Sequence, residues 1–171
     1  MELQLERFEA IGESGIAEFD LRVRKFNRTT HAINGTFTIL QDLDETYEIS
    51  ASFAYSTLGN NQFNEYPMKV PRKKLCDFMV DQYLRCQYLW RNSTNMPHLE
   101  KGTTEYCPFP AGAYWVKDVI PDASWVPPVV PTGLWRMSIS WEQNTHSHRC
   151  GPTWTVISTD SGAEFQGGLE V

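Results

Sequence analysis

The sequence predicts an all-β protein with one inserted helix, and three observations carry this prediction. Apolar and polar residues alternate with a period of two in several segments, and turn-forming residues separate these segments. One stretch in the middle of the chain has helical spacing instead. With 171 residues, 41% of them hydrophobic, the chain is long enough to bury a core as one domain over 1–171. The Gly-rich residues 160–171 are predicted to form a flexible tail.

The alternation predicts strands along most of the chain. It is clear in residues 19–23 and clearest in 47–55, where five apolar residues fall on one face. Asn34-Gly35 is a favoured pair for a tight hairpin turn, and β-forming residues follow it in 36–40. A polar turn is predicted at 42–45. Later strands are predicted at 113–119, 134–141 and 153–158.

A single α-helix is predicted over about 72–90, starting after Pro71. Its apolar face is formed by residues at helical spacing: Leu75, Phe78, Met79, Tyr83, Cys86 and Trp90. Along a continuous helix Cys76 and Cys86 would lie about 15 Å apart, well beyond the ~7 Å between Cα atoms that a disulfide can bridge. These two cysteines are therefore expected to pair with others or to remain free.

Cysteines and glycosylation sequons together favour an oxidising, extracellular compartment. The four cysteines, which allow three disulfide pairings, are Cys76, Cys86, Cys107 and Cys150. Asn-X-Ser/Thr sequons begin at Asn27, Asn34 and Asn92. The first residues lack the basic start and apolar run of a signal peptide, so we expect a mature secreted chain with an initiator Met, or an incomplete gene model. The alternative is a cytosolic protein with four thiols. No apolar stretch approaches the roughly 20 residues that cross a bilayer.

Charge and motifs exclude several classes of function. The net charge of −6 argues against nucleic acid as a partner, because phosphate contacts need clustered Lys and Arg. No nucleophile motif and no phosphate-binding glycine loop is present. His146, His148 and Cys150 would share one face of a strand, but further metal ligands are missing, and surface histidines beside a disulfide cysteine are the preferred interpretation. The acidic turn at 42–45 lacks the spacing of a calcium loop. We predict no enzymatic activity, no cofactor and no metal.

The connection between Cys107 and Trp135 is unusually apolar. Its only charged residues are Lys117, Asp118 and Asp122. The apolar residues in the same interval include Trp115, Val116, Val119, Ile120, Trp125, Val126, Val129 and Val130. A surface connection of this kind is expected to cover another apolar surface, to contact a membrane or to line a cavity. The alternative is that it simply caps the core of the sandwich.

Several short motifs also occur in a recognisable order. In the C-terminal half they are Cys107-Pro108-Phe109, Gly112, Tyr114, Pro121-Asp122, Trp125, Gly133, Arg136 and Cys150. This half resembles the ganglioside-activator branch of the ML (lipid-recognition) proteins. From about Phe19 to Ser158 the chain resembles secreted arthropod proteins related to that branch, including insect chemosensory proteins of taste hairs. The features shared with the arthropod proteins are Asn34-Gly35, the 42–45 turn, Tyr66-Pro67 before Pro71, the Cys-bearing helix and Asn95-Met96-Pro97.

This resemblance implies an antiparallel β-cup or immunoglobulin-like β-sandwich whose two sheets enclose an apolar cavity. It implies a secreted, ML-like carrier that binds a lipid or other hydrophobic small molecule, such as a glycolipid, fatty acid or hydrocarbon cue, without catalysis. We expect the mouth of the cavity to be formed by Trp115, Trp125, Val126, Val129 and Val130. Its wall is expected to include Ile49, Phe53, Tyr55 and Tyr114.

The disulfide pattern departs from that of the family. In the ganglioside activators the cysteine matching Cys150 pairs with one near the N-terminus, and here no cysteine precedes Cys76. We expect Cys76 to pair with Cys107, with Cys86 and Cys150 pairing with each other or remaining free.

Two other functions compete with the carrier. A sandwich with a filled core would use the apolar residues 115–131 to bind a receptor, a hydrolase or transiently a membrane, since aromatic anchors dominate interfaces. An enzyme would have to rely on His146, His148 and the acidic turn at 42–45, which makes it the third choice.

Overall fold

Two antiparallel sheets form the body of the protein. The structure, a computed structural model, describes residues 2–11, 15–126, 130–143 and 146–159. The strands are β1 Glu2–Ile11, β2 Ala17–Lys25, β3 His31–Ile39, β4 Tyr47–Ser56, β5 Asn64–Lys74, β6 Gly112–Val119, β7 Gly133–Gln143 and β8 His146–Thr159. The larger sheet has the order β1-β8-β7-β4-β5 and the smaller one β2-β3-β6. The predicted all-β sandwich is confirmed. The predicted tail at 160–171 lies outside the described residues.

A helical segment, residues 75–89, follows β5. It consists of α1 Leu75–Phe78, a π-helical turn Met79–Tyr83, α2 Leu84–Cys86 and a 3₁₀ turn Gln87–Leu89. The predicted helix therefore exists, but its start after Pro71 is wrong. Lys73 and Lys74 continue β5, because they pair with Ile49 and Glu48 of β4. No helix among the described residues is both long and apolar enough to cross a membrane.

The predicted hairpin turn at Asn34-Gly35 is also wrong. The turn between β2 and β3 lies at residues 26–30, where the Phe26 amide donates to the Thr30 carbonyl at 2.9 Å. Asn34 and Gly35 lie inside β3, at a bulge in its pairing with β6. Gly35 has a φ of 139°, and a Cβ there would lie 2.0 Å from the Asp20 carbonyl oxygen. Glycine is needed here for close approach of two strands rather than for a turn.

The connection between the helical segment and β6, residues 91–111, is held at three points, two on β6 and one on the segment between β3 and β4. Thr94 forms a bridge with Val116 of β6, and Phe109 forms one with Leu43. The Asn95 side chain accepts a hydrogen bond from the Trp115 amide at 2.7 Å and donates to the Ala113 carbonyl at 3.2 Å. The connection thus runs along the open edge of β6 and satisfies part of its backbone.

β6 and β7 belong to different sheets, so the apolar connection between them, residues 120–132, crosses one end of the sandwich. It contains a 3₁₀ turn, Ala123–Trp125, which begins where the Asp122 carboxylate accepts a hydrogen bond from the Ser124 amide at 2.8 Å.

Candidate ligand-binding site

The register of β4 and β7 fixes which side chains face the space between the sheets. Ile49 lies opposite Trp141 and Phe53 lies opposite Met137. Since side chains alternate between the two faces of a strand, odd-numbered residues of both strands share a face. Ile49 belongs to the core cluster that includes residues of the smaller sheet. The odd-numbered face of β4 and β7 is therefore the inner face of the larger sheet.

The first half of this interior, which we call the packed half, is filled. Its residues are buried in one contiguous cluster, to which the strands, the helical segment and the 91–111 connection all contribute. They include Phe37, Ile39, Tyr47, Ile49, Leu75, Met79, Tyr83, Leu99, Phe109 and Tyr114. Tyr114 stacks on Phe37 at 5.3 Å between ring centroids and contacts Phe109 at 5.4 Å. Its hydroxyl donates to the Pro110 carbonyl at 2.6 Å. Ile49 and Tyr114, two of the predicted wall residues, therefore contribute to a packed core.

Covalent and polar contacts fix the helical segment in the packed half. Cys76 is bonded to Cys107, with 5.4 Å between their Cα atoms, which confirms the expected pairing. The Gln87 side chain is buried, donates to the Leu99 carbonyl at 2.7 Å and accepts from the Leu99 amide at 2.9 Å. Cys86 carries a free thiol. The side chain of Cys150 lies outside the described part of the structure.

The second half of the interior, which we call the open half, is different. Many of its inner-face residues are only half-buried: Gly35, Ala51, Phe53, Tyr55 and Met137. Trp135 on the same face is buried, and Leu21 and Val116 pack against the core cluster. Gly35 lies between Leu21 and Val116 in the register of the smaller sheet and places no side chain toward the larger one. Ala51, near the middle of β4, adds only a methyl group. Inner-face apolar residues normally lose nearly all solvent contact in a sandwich, so the half-buried side chains of this half keep more exposed apolar surface than a packed sandwich interior does.

Aromatic rings close the far end of the open half. Tyr55 lies opposite Trp135, with ring centroids 4.8 Å apart, and Tyr66 meets the same indole edge-on at 4.7 Å. A Cβ on Gly133 would lie 2.9 Å from the Tyr55 ring, so glycine permits this packing. Together these rings form a rigid, apolar wall, and its only polar atoms are the tyrosine hydroxyls and the indole N–H at the tips of the rings.

The end of the 120–132 connection is tied to this aromatic wall. The Tyr55 hydroxyl donates to the Thr132 carbonyl at 2.9 Å, and the Trp135 indole donates to the Pro131 carbonyl at 3.0 Å. Val130 is 7% exposed and Val126 is half-buried. These two predicted mouth residues, with Phe53 and Tyr55 of the predicted wall, are the ones that the structure places at the open half or on the segment that covers it.

The remaining mouth residues are placed differently. Trp115 follows Tyr114 in β6 and therefore points to the opposite, outer face of the smaller sheet, where it is 43% exposed. It does not join the space between the sheets. The side chain of Trp125 and the whole of Val129 lie outside the described residues.

Several residues of the open half were not predicted from the sequence. Met137, Trp135 and Tyr66 line it, but only the strand at 134–141 was expected, without an assignment of its faces. The signal was present in the alternation of Trp135, Met137, Ile139 and Trp141 along β7. Gly35 was assigned to a turn, which concealed its place on the inner face.

Burial and hydrogen bonding shift the pKa values of a few ionisable groups among the described residues. Burial raises the pKa values of the Tyr83 and Tyr114 hydroxyls, and it raises the pKa of the Cys86 thiol, so these groups are held in their neutral forms. Hydrogen bonds from Thr46 lower the pKa of Asp44, which ties that carboxylate into its turn. Within the described residues no three His, Cys, Asp or Glu side chains approach closely enough to hold a metal. The side chains of His146, His148 and Cys150 lie outside that set.

The Trp141 indole N–H is the polar group of most interest at the border between the two halves. Its nitrogen is buried and finds no hydrogen-bond partner among the described residues. Trp141 packs against the core cluster, and its ring lies 5.8 Å from that of Phe19 across the interior. Since a buried indole N–H usually has an acceptor, it is a donor that a polar group inside the sandwich can use.

One family model matches the chain, over residues 49–137, and its description is "Protein of unknown function (DUF1091)". The match is just over half of the 171 residues. It runs from β4 to β7 and includes the helical segment, the Cys76–Cys107 disulfide and the apolar connection at 120–132. No curated protein matches the chain.

Proposed function

The chain belongs to the DUF1091 family, and we propose that it is a secreted, non-catalytic carrier of a lipid or similar apolar molecule. The observation that carries this proposal is the contrast inside the sandwich. Along the inner face of β4, Ala51, Phe53 and Tyr55 in the open half remain half-buried, while Tyr47 and Ile49 in the packed half are buried. An apolar ligand between the sheets would remove this surface from water, at about 25 cal/mol for each Å² buried.

The position of the 120–132 connection supports the same proposal. It passes over the end of the open half, where hydrogen bonds from Tyr55 and Trp135 to its last carbonyls tie it down. This is also the arrangement implied by the resemblance to the ganglioside-activator branch of the ML proteins, a relationship that forms part of the proposal.

A polar headgroup or carboxylate can be oriented by the Trp141 indole N–H. An indole N–H is suited to hold a ligand without reacting with it, because it is a hydrogen-bond donor only. The disulfide between Cys76 and Cys107 agrees with secretion, since such bonds persist in oxidising compartments.

The first test is native mass spectrometry of the protein secreted from insect cells, followed by organic extraction. We expect co-purified lipid or hydrocarbon at close to one molecule per chain. Delipidated protein is then titrated with a pyrene-labelled fatty acid. A clean apo mass, together with no uptake of this probe or of lipid from phosphatidylcholine vesicles, would overturn the carrier.

Two matched variants locate the site. Met137→Trp fills the open half without burying a charge, and we expect it to lower uptake of the probe at least tenfold. Trp115→Asp changes an exposed residue on the outer face and is expected to leave uptake unchanged. Circular dichroism confirms folding of both. Normal uptake by Met137→Trp with loss in Trp115→Asp would move binding to the outer face.

A second function, a protein-interaction module, is favoured by one observation. Trp115 is 43% exposed on an otherwise polar sheet face, where Thr36 is its neighbour across the strands. Exposed tryptophans are common energetic centres of interfaces. The same Trp115→Asp variant tests this alternative, because loss of a receptor contact with retained lipid uptake would separate the two roles.

A further inference from the structure

The turn between β2 and β3 combines an exposed aromatic ring with a glycosylation sequon. Phe26 is 53% exposed at the tip of this hairpin. The sequon Asn27-Arg28-Thr29 follows it directly. The amides of Phe26 and Asn27 both donate to the Thr30 carbonyl, at 2.9 and 3.3 Å, so the turn is closed and its geometry is defined.

The Asn27 side chain is held in one orientation. Its carbonyl oxygen accepts hydrogen bonds from the Thr29 amide at 2.9 Å, the Thr30 amide at 2.8 Å and the Thr29 hydroxyl at 3.3 Å. All three bonds use Oδ1. In the planar amide group Nδ2 then points away from the turn, and the residue is exposed. The atom at which a sugar would be attached is therefore directed to solvent.

The other two sequons differ from this one. Asn34 is half-buried within β3, and its Oδ1 accepts a hydrogen bond from the Asp118 amide at 3.0 Å. Asn92 is exposed, but its neighbours Arg91 and Ser93 offer no ring. Asn27 alone among the three directly follows an exposed aromatic side chain.

We propose that Asn27 carries an N-linked glycan whose first sugar packs its C–H face on the Phe26 ring. The proposal rests on the secretion that forms part of the proposed function. In the modification a bond forms between Nδ2 and the anomeric carbon of an oligosaccharide. The bond from that carbon to the diphosphate of its polyprenyl carrier breaks, and Nδ2 loses one proton. The attached sugar would cover an apolar ring that the fold leaves in water.

Occupancy is tested on the full chain, secreted from mammalian cells behind a supplied signal peptide. Treatment with peptide N-glycosidase in ¹⁸O water converts each glycosylated Asn into labelled Asp, which peptide mass spectrometry locates. We expect labelling at Asn27. Unlabelled Asn27 in the secreted protein overturns the proposal. Lipid uptake is measured on the same preparation. If Asn27 is unlabelled but the protein still takes up lipid, the glycan proposal fails and the carrier proposal stands.

Packing on the ring is tested with Thr36→Val and Asn92→Gln, which leave one sequon. An endoglycosidase trims the glycan of one sample to its first sugar, and the N-glycosidase removes the whole glycan from a parallel sample. We expect the fully deglycosylated sample to unfold at a Tm about 2–4 °C below that of the trimmed one, and we expect a much smaller difference in a Phe26→Ser background. The Asn-to-Asp conversion is common to both backgrounds and cancels in the cycle. Equal shifts in both backgrounds overturn the packing.

Discussion

The packed and open halves of the sandwich are built from the same two sheets and the same strands, yet they differ in what lies against them. In the packed half the helical segment and the 91–111 connection supply Leu75, Met79 and Phe109 to the interior. In the open half Phe53 and Met137 stay half-buried. The comparison teaches that the alternation along a strand fixes its inner face, whereas the insertions decide whether that face is filled.

The largest expected effect is on the free energy of unfolding, and it is measured by removing one ring from each half. Phe109→Ala removes a buried ring between Leu43 and Tyr114, and we expect it to cost about 3–5 kcal/mol of unfolding free energy. Phe53→Ala removes a half-buried ring, and we expect less than half that loss. Urea denaturation measures both. Equal losses would show that the open half is packed as tightly as the other.

Loss of the disulfide is expected to have the next largest effect. The double variant Cys76→Ser/Cys107→Ser frees the start of the helical segment from the 91–111 connection. Closing a loop of 31 residues corresponds to about 3–4 kcal/mol. Denaturation with and without reductant checks this value. Because the bond lies in the packed half, uptake of ligand by the folded variant should be retained, and loss of uptake would link the two halves.

A smaller effect is expected at the aromatic wall of the open half. Tyr55→Phe keeps the ring against Trp135 but deletes the hydrogen bond to the Thr132 carbonyl. We expect a loss of about 0.5–1.5 kcal/mol, measured by thermal unfolding. We also expect faster ligand exchange, since one tie of the 120–132 connection is gone. An unchanged rate of ligand exchange would show that the hydrogen bond between Tyr55 and Thr132 does not control ligand entry.

The last test leaves stability unchanged and concerns Cys86. Burial raises the pKa of its thiol, so its thiolate fraction at pH 8 is below that of an exposed cysteine. Iodoacetamide should therefore label Cys86 slowly in the native protein and quickly in guanidinium chloride without reductant. Peptide mass spectrometry reads the result. No labelling of Cys86 in denaturant would mean that it forms a disulfide instead.

Much of the fold could be predicted because alternation directly reflects burial on one side. β2, β4, β6, β7 and β8 were expected for this reason. β1 and β5 were not, because β5 contains Pro67 and Pro71 and is rich in basic residues, a composition that suits the edge of a sheet. Asn34-Gly35 was misplaced because a strand bulge and a tight turn need the same residue types.

The candidate site was harder to predict, for a physical reason. Tyr114 and Trp115 are adjacent and equally aromatic, but their alternation sends one into the core and the other to the outer face. Ile49 and Phe53 share a face of β4, and only the tertiary position of the helical segment buries one more than the other. Such differences depend on contacts between residues far apart in the sequence, which no local pattern contains.

The way in which β6 ends its sheet has a consequence for association between chains. An uncovered strand edge offers backbone donors and acceptors to any extended peptide, including a second copy of the same protein. Here the Lys117 amide already donates to the Ser93 carbonyl at 2.8 Å, and Asn95 occupies the next backbone groups. On the other sheet, Pro67 and Pro71 withdraw two donors from the edge strand β5. Strand addition is therefore impeded at these two edges, and an assembly that grew by strand pairing would have to use the opposite edges, which are formed by β1 and β2.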